Sequence, residues 1–200
     1  LGPDINARTI AASQADLTRL KALLAAEKDP QVRQDIEILI ASVEDDILGT
    51  RLNEKYMLPW FDVPQTVFGS MRALLQEQLP ASRRAKALER LQRYTGLYPG
   101  STPLTEQAKA RFTEKQSNAA LLYPVKARVE RSLNNVPTYI KGIRELFAEM
   151  KIEGAGPALD AMDKQLTDYA AWQKELDDPG LVAINLSLKE LSQASFIPRC

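Results

Sequence analysis

The chain has 200 residues, 44% of them hydrophobic, enough for one domain with a core of its own. Lys plus Arg and Asp plus Glu both total 26, and such neutrality argues against nucleic-acid binding, which needs a basic excess on some face. There is no histidine and one cysteine, Cys200, which excludes Ser–His–Asp and Cys–His catalysis, histidine zinc sites and an internal disulfide.

No apolar run approaches the ~18 residues of a membrane span. The chain opens on Leu1 rather than Met, so the expectation is a removed leader or a start inside a longer protein. Residues 1–12 carry no convincing pattern and read as a disordered arm. Ser13 opens the first clear helix, with Leu17, Leu20, Leu23 and Leu24 recurring at helical steps. Asp29-Pro30 breaks it, and Pro30 suits the first turn of the next helix. There Val32, Ile36, Leu39, Ile40, Val43, Ile47 and Leu48 make one apolar stripe, running to about Tyr56.

Leu58-Pro59-Trp60-Phe61-Asp62-Val63-Pro64 is a turn holding two adjacent aromatics between prolines. Asp62 is placed to cap the following helix, which carries Val67, Phe68, Met71, Leu74 and Leu75 and ends at Pro80. Ser82 is a cap candidate for a helix with Ala85, Leu88, Leu91 and Tyr94, and Gly96 is its terminator. Arg83, Arg84, Lys86, Arg90 and Arg93 form the one basic cluster; with Glu89 among them it reads as a solvated helix face. Thr102 and Pro103 restart the chain as N-cap and first helical residue. The pattern then runs from Leu104 to about Arg131, with a kink or join expected at Pro124.

Pro137 is expected to begin another helix, with Tyr139, Ile140, Ile143, Leu146, Phe147 and Met150. After a turn at Gly154-Ala155-Gly156-Pro157, a last long helix carries Leu159, Met162, Leu166, Tyr169, Ala170 and Leu176 and stops at Asp178-Pro179-Gly180. Leu181 to Ile184 is the one strand candidate, and Asn185 is placed to cap a short helix through Leu188 and Leu191. The expected fold is all-α: one domain over residues 1–200, an antiparallel array or bundle of about seven to eight long helices joined by short Pro/Gly loops.

Chemistry-bearing clusters are few. Glu44, Asp45 and Asp46 are adjacent on a helix and so point apart. Gly154-Ala155-Gly156 lacks the preceding strand of a phosphate loop. The group that stands out is Tyr56, Trp60, Phe61, Asp62 and Gln65. It reads either as a hydrophobic corner locking two helices or as the lining of a ligand cleft, aromatic walls with a few polar handles. Trp172, one turn from Tyr169, reads as core or interface. No cofactor and no metal is expected within the chain.

In this order the segments resemble the N-terminal part of a bacterial family, domain of unknown function 885. The resemblance is carried by "LTRLKALL" from Leu17, by "VRQDIEILIASVEDDILGTRLNEKYMLPW" from Val32, by "ALERLQRYTGLYP" from Ala87 and by "VERSLNNVPTYIKGIRELF" from Val129. It spans roughly Asp16 to Leu176, and residues 181–200 diverge from it. The family resembles zinc metallopeptidases with an HExxH-type helix in the C-terminal half, and many members are exported or lipid-anchored. The resemblance therefore implies a noncatalytic N-terminal portion of a metal-dependent hydrolase, forming one wall of a substrate channel, in the periplasm or outside the cell. Its partner would be the catalytic half, or another protein or copy, met through an apolar helix face; zinc would belong to that missing half. The competing readings are a stand-alone helical interaction or scaffold domain and, behind it, an enzyme using only carboxylates or lysines.

Overall fold

The computed structural model describes residues 1–176. Its eight helical segments in chain order are α1 (Ile5–Ala26), α2 (Pro30–Tyr56), α3 (Val63–Leu74), α4 (Ala81–Arg84), α5 (Lys86–Thr95), α6 (Leu104–Lys115), α7 (Lys126–Glu149) and α8 (Gly156–Leu176). The only strand-like pairing among the described residues is an isolated parallel bridge between Met57 and Leu122. The chain is an all-α array. The expected stop at Asp178-Pro179-Gly180, the strand at Leu181 to Ile184 and the helix capped by Asn185 lie outside the described residues.

The array has two parts. α1 and α2 form an antiparallel hairpin. Among the residues withdrawn from solvent are Ile10, Ser13, Leu17, Leu20 and Leu24 on α1, and Ile36, Ile40, Val43, Ile47 and Thr50 on α2. Both sets alternate steps of three and four, the spacing of a coiled-coil seam. Lys21 Nζ reaches Glu44 Oε1 at 2.8 Å across the pair. Asp29 caps α2, accepting from the backbone N–H groups of Gln31 and Val32, with Pro30 in the first turn. Arg33 donates to the Leu24 and Glu27 carbonyls, closing the end of α1.

The second part is a body in which α3 packs on α7, α7 on α8 and α8 on α5. Its core joins Val67, Met71, Leu75, Leu91, Ala108, Ile143, Phe147, Met162, Leu166 and Tyr169. A smaller cluster of Leu58, Phe112 and Leu121 abuts it through Trp172. The backbone links Leu58 N–H to Leu122 O and Leu122 N–H to Tyr56 O, both 2.8 Å, and tie the exit of α2 to the segment before α7.

Seven expectations change. α3 ends at Leu74 rather than at Pro80. α1 starts at Ile5 rather than Ser13, so most of the supposed arm, residues 5–12, is helical; Ile10 continues the same seam one step earlier. The stripe on α2 splits, because Ile36, Ile40, Val43 and Ile47 face α1 while Val32, Leu39 and Leu48 are exposed. Ser82 caps nothing: it lies inside the single turn α4, and α5 starts after a join at Ala85. Pro103 takes the cap position instead of Thr102, its extended backbone placing its carbonyl to accept from Gln107 N–H at 3.1 Å. The stretch from Leu104 is cut after Lys115, where Asn118 folds the chain by accepting from Ala120 N–H. Helix resumes at Lys126 after Pro124, and Pro137 lies within α7 instead of starting it.

Candidate functional site

The proline-aromatic turn sits where the base of the hairpin meets the body. Asp62 ends it by capping α3: its carboxylate accepts from Gln65 N–H at 3.1 Å and from Ser132 Oγ on α7 at 2.8 Å. Ser132 is buried, so this one carboxylate both starts a helix and pins it to a second. The Phe61 carbonyl accepts from Tyr169 Oη at 2.9 Å. Burial, and next the nearby Asp62 charge, push the Tyr169 phenol well above its ordinary value. The turn is thus held at three points, and its direction follows from them.

Held this way, it opens a cleft of about 280 Å³. Asn6, Thr50, Asn53 and Glu54 of the hairpin form one wall, Met57 to Phe61 the floor, and Pro124, Val125 and Arg128 the far wall. The Arg128 guanidinium lies over the Trp60 ring, 4.9 Å from its centroid, a cation–π contact. On the other side of Trp60 is a cavity of about 20 Å³ walled by Phe112, Tyr123, Pro124, Val129, Gln173 and Leu176. Gln173 is fully buried there, and neither atom of its amide head has a protein partner; the Trp60 Nε1–H is likewise unpaired. Phe112 meets both Tyr123 and Trp172 edge-on.

Of the five residues singled out from the sequence, Trp60 and Phe61 line the cleft. Tyr56 is exposed at the end of α2 and contributes its backbone carbonyl to the bridge. Asp62 and Gln65 are occupied with each other at the start of α3 and do not line it. Sequence reasoning missed Arg128, Glu54 and Asn53. Nothing local marks them; they arrive because the Met57–Leu122 bridge brings α2 and α7 together.

A larger hollow of about 680 Å³ runs between α7 and α8, floored by Leu133, Val136, Pro137, Ile140, Ala170 and Ala171. Two alanines facing a proline leave it shallow and apolar. Arg144 closes one end by bridging Asp160 and Asp163, at 2.7 Å to each by hydrogen bond; these bonds raise its already high pKa. The basic cluster of α4 and α5 is internally engaged, Lys86 and Arg93 with Glu89, and Arg84 with the Glu77 and Leu79 carbonyls. No group of three metal-ligating side chains occurs among the described residues, and no described helix is long and apolar enough to cross a membrane. The Trp60 cleft offers a ligand aromatic and aliphatic walls, one cation, one carboxylate and amide groups. No protein-family model matches the chain, and neither the curated proteins nor the solved structures contain a match.

Proposed function

We propose that the chain is the noncatalytic helical portion of a zinc-dependent hydrolase of the metallopeptidase type, and that the Trp60 cleft belongs to one wall of its substrate channel. The observation that carries this reading is the open α7–α8 groove. Its floor is apolar and its rim carries Lys141, Arg144, Glu145, Asp163 and Lys174, an apolar patch with a polar border of the kind that marks contact sites. The catalytic half would seat there, supplying the histidines this chain lacks. The resemblance to domain of unknown function 885 supports the same assignment.

The test uses the coding sequence beyond Cys200. An HExxH helix downstream, zinc in the full-length protein and peptide hydrolysis are the expected results. In that protein Trp60→Ala should raise KM with little change in kcat, and Ile140→Asp should separate the halves. A stop codon directly after Cys200 overturns the reading. The alternative, a stand-alone helical interaction domain, is favoured by a different observation, the apolar outer face of α2.

A further inference from the structure

Four polar side chains that line the Trp60 cleft have no hydrogen-bond or ion-pair partner among the described residues. Asn6, Asn53 and Glu54 stand on the hairpin wall and Arg128 on the far wall. Glu54 and Arg128 bring opposite charges to one cleft and do not pair with each other. Elsewhere in the fold opposite charges that meet across elements do pair, as Lys21 with Glu44 and Arg144 with Asp160 and Asp163. The space of about 280 Å³ is that of roughly nine waters at ~30 Å³ each.

The cation is set in place. Its guanidinium lies over the Trp60 ring, and that ring belongs to a turn pinned through Asp62 and Tyr169. A guanidinium engaged over an aromatic ring keeps in-plane N–H groups for a carboxylate, which takes two of them at once. Glu54 lies in the last turn of α2. Between the two charges the lining is apolar, with Met57, Leu58, Phe61 and Val125. A simple anion here would meet Glu54 and a simple amine would meet Arg128, each a like-charge encounter. A ligand that carries both charges and an apolar group meets neither penalty.

We infer that the Trp60 cleft binds a small apolar zwitterion, an α-amino acid or dipeptide with both termini free. Its carboxylate sits on Arg128, its ammonium on Glu54 and its side chain on Met57 and Trp60. The amides of Asn6 and Asn53 take the remaining donors and acceptors. The inference deepens the reading of this cleft as part of a substrate wall and rests on that reading for its role, since such ligands are what peptide hydrolysis consumes or releases. Two charge-assisted contacts and one small side chain give weak binding, with Kd about 1 mM.

The test is a heteronuclear NMR titration of the full chain with leucine and with leucylglycine, following the indole N–H of Trp60, assigned by Trp60→Phe. At least one of the two should saturate with Kd about 1 mM. The carboxamide of the tighter ligand lacks the carboxylate and its N-acetyl form lacks the ammonium; each should bind at least about fivefold more weakly. Arg128→Gln should make the free ligand no better than its carboxamide while still rejecting the N-acetyl form. Glu54→Gln should do the converse. Both side chains are exposed, so the melting temperatures of the variants should stay near that of the parent. No shift at Trp60 up to about 10 mM ligand, equal binding of free and blocked forms, or variants that retain both distinctions overturns the inference. Binding is read on this chain alone. Selective binding without an HExxH helix downstream removes the channel reading and leaves the site; that helix with no binding does the reverse.

Discussion

Replacing Asp62 by alanine removes two hydrogen bonds of different kinds. The first is a helix cap, the Gln65 N–H at 3.1 Å, worth about 1 kcal/mol. The second comes from Ser132 Oγ at 2.8 Å, a hydroxyl 2% exposed. Stranding a buried donor costs about 1–3 kcal/mol. The sum is about 3 kcal/mol, or a fall in melting temperature of about 8 °C for a chain of this size. Urea titration followed by circular dichroism measures it. Asp62→Asn keeps an acceptor for both donors and should cost no more than about 1 kcal/mol. Ser132→Ala removes the second donor, and its double-mutant cycle with Asp62→Ala should give a coupling of about 1 kcal/mol or more. If Asp62→Ala costs less than about 1 kcal/mol, or the cycle shows no coupling, Asp62 does not link α3 to α7 as described.

Gly96 ends α5 at φ 75°, and a Cβ there would lie 2.7 Å from Pro103 Cδ; Gly96→Ala should therefore cost about 2–3 kcal/mol in the same titration, combining left-handed backbone strain with the ring contact. The Tyr169 phenol is raised above its ordinary value of 10.0 in the fold. The unfolded chain thus loses that proton first, and stability is full below about pH 10 and declines above it, by about 1.4 kcal/mol per pH unit. Tyr169→Phe should cost about 1 kcal/mol at neutral pH through the lost bond to Phe61, and it should flatten the alkaline slope in melts from pH 9 to 12. The 200-residue chain should purify without stoichiometric zinc, and EDTA should leave its melting temperature unchanged; one zinc per chain by elemental analysis would refute the assignment of metal chemistry to another part.

Helices were legible wherever caps and apolar spacing agreed. Asp29-Pro30, Asp62 and Gly96 each mark a boundary through a local mechanism, and each boundary stands where that mechanism puts it. The misread boundaries are those where tertiary structure overrides a local signal. Pro137 looks like a start, yet α7 absorbs it, because Val129, Ser132 and Val136 before it are buried against the body and hold the helix on course. The stretch from Leu104 to Arg131 read as helical with a kink or join at Pro124, yet the break comes earlier, after Lys115, because the Tyr56–Leu122 pairing claims that backbone. The cleft was half legible for the same reason. Trp60 and Phe61 announce themselves in the sequence, whereas Arg128 is one of 26 cations and reaches the Trp60 ring only through the packing of α7. The double character of the α2 stripe was invisible, since apolar spacing does not say which of two faces a neighbour covers.

The division between hairpin and body also bears on how the chain acquires its structure. Every seam contact of α1 and α2 lies within the first 56 residues, so the hairpin closes over a short loop. The body waits longer, because its core joins Val63 to Ala170 and most of the polypeptide must exist before it can condense. Local closure is fast and long-range closure slow, so the hairpin closes before the body condenses. The outer face of α2, with Ile38, Leu48 and Leu52 exposed, is then presented before the body has a shape.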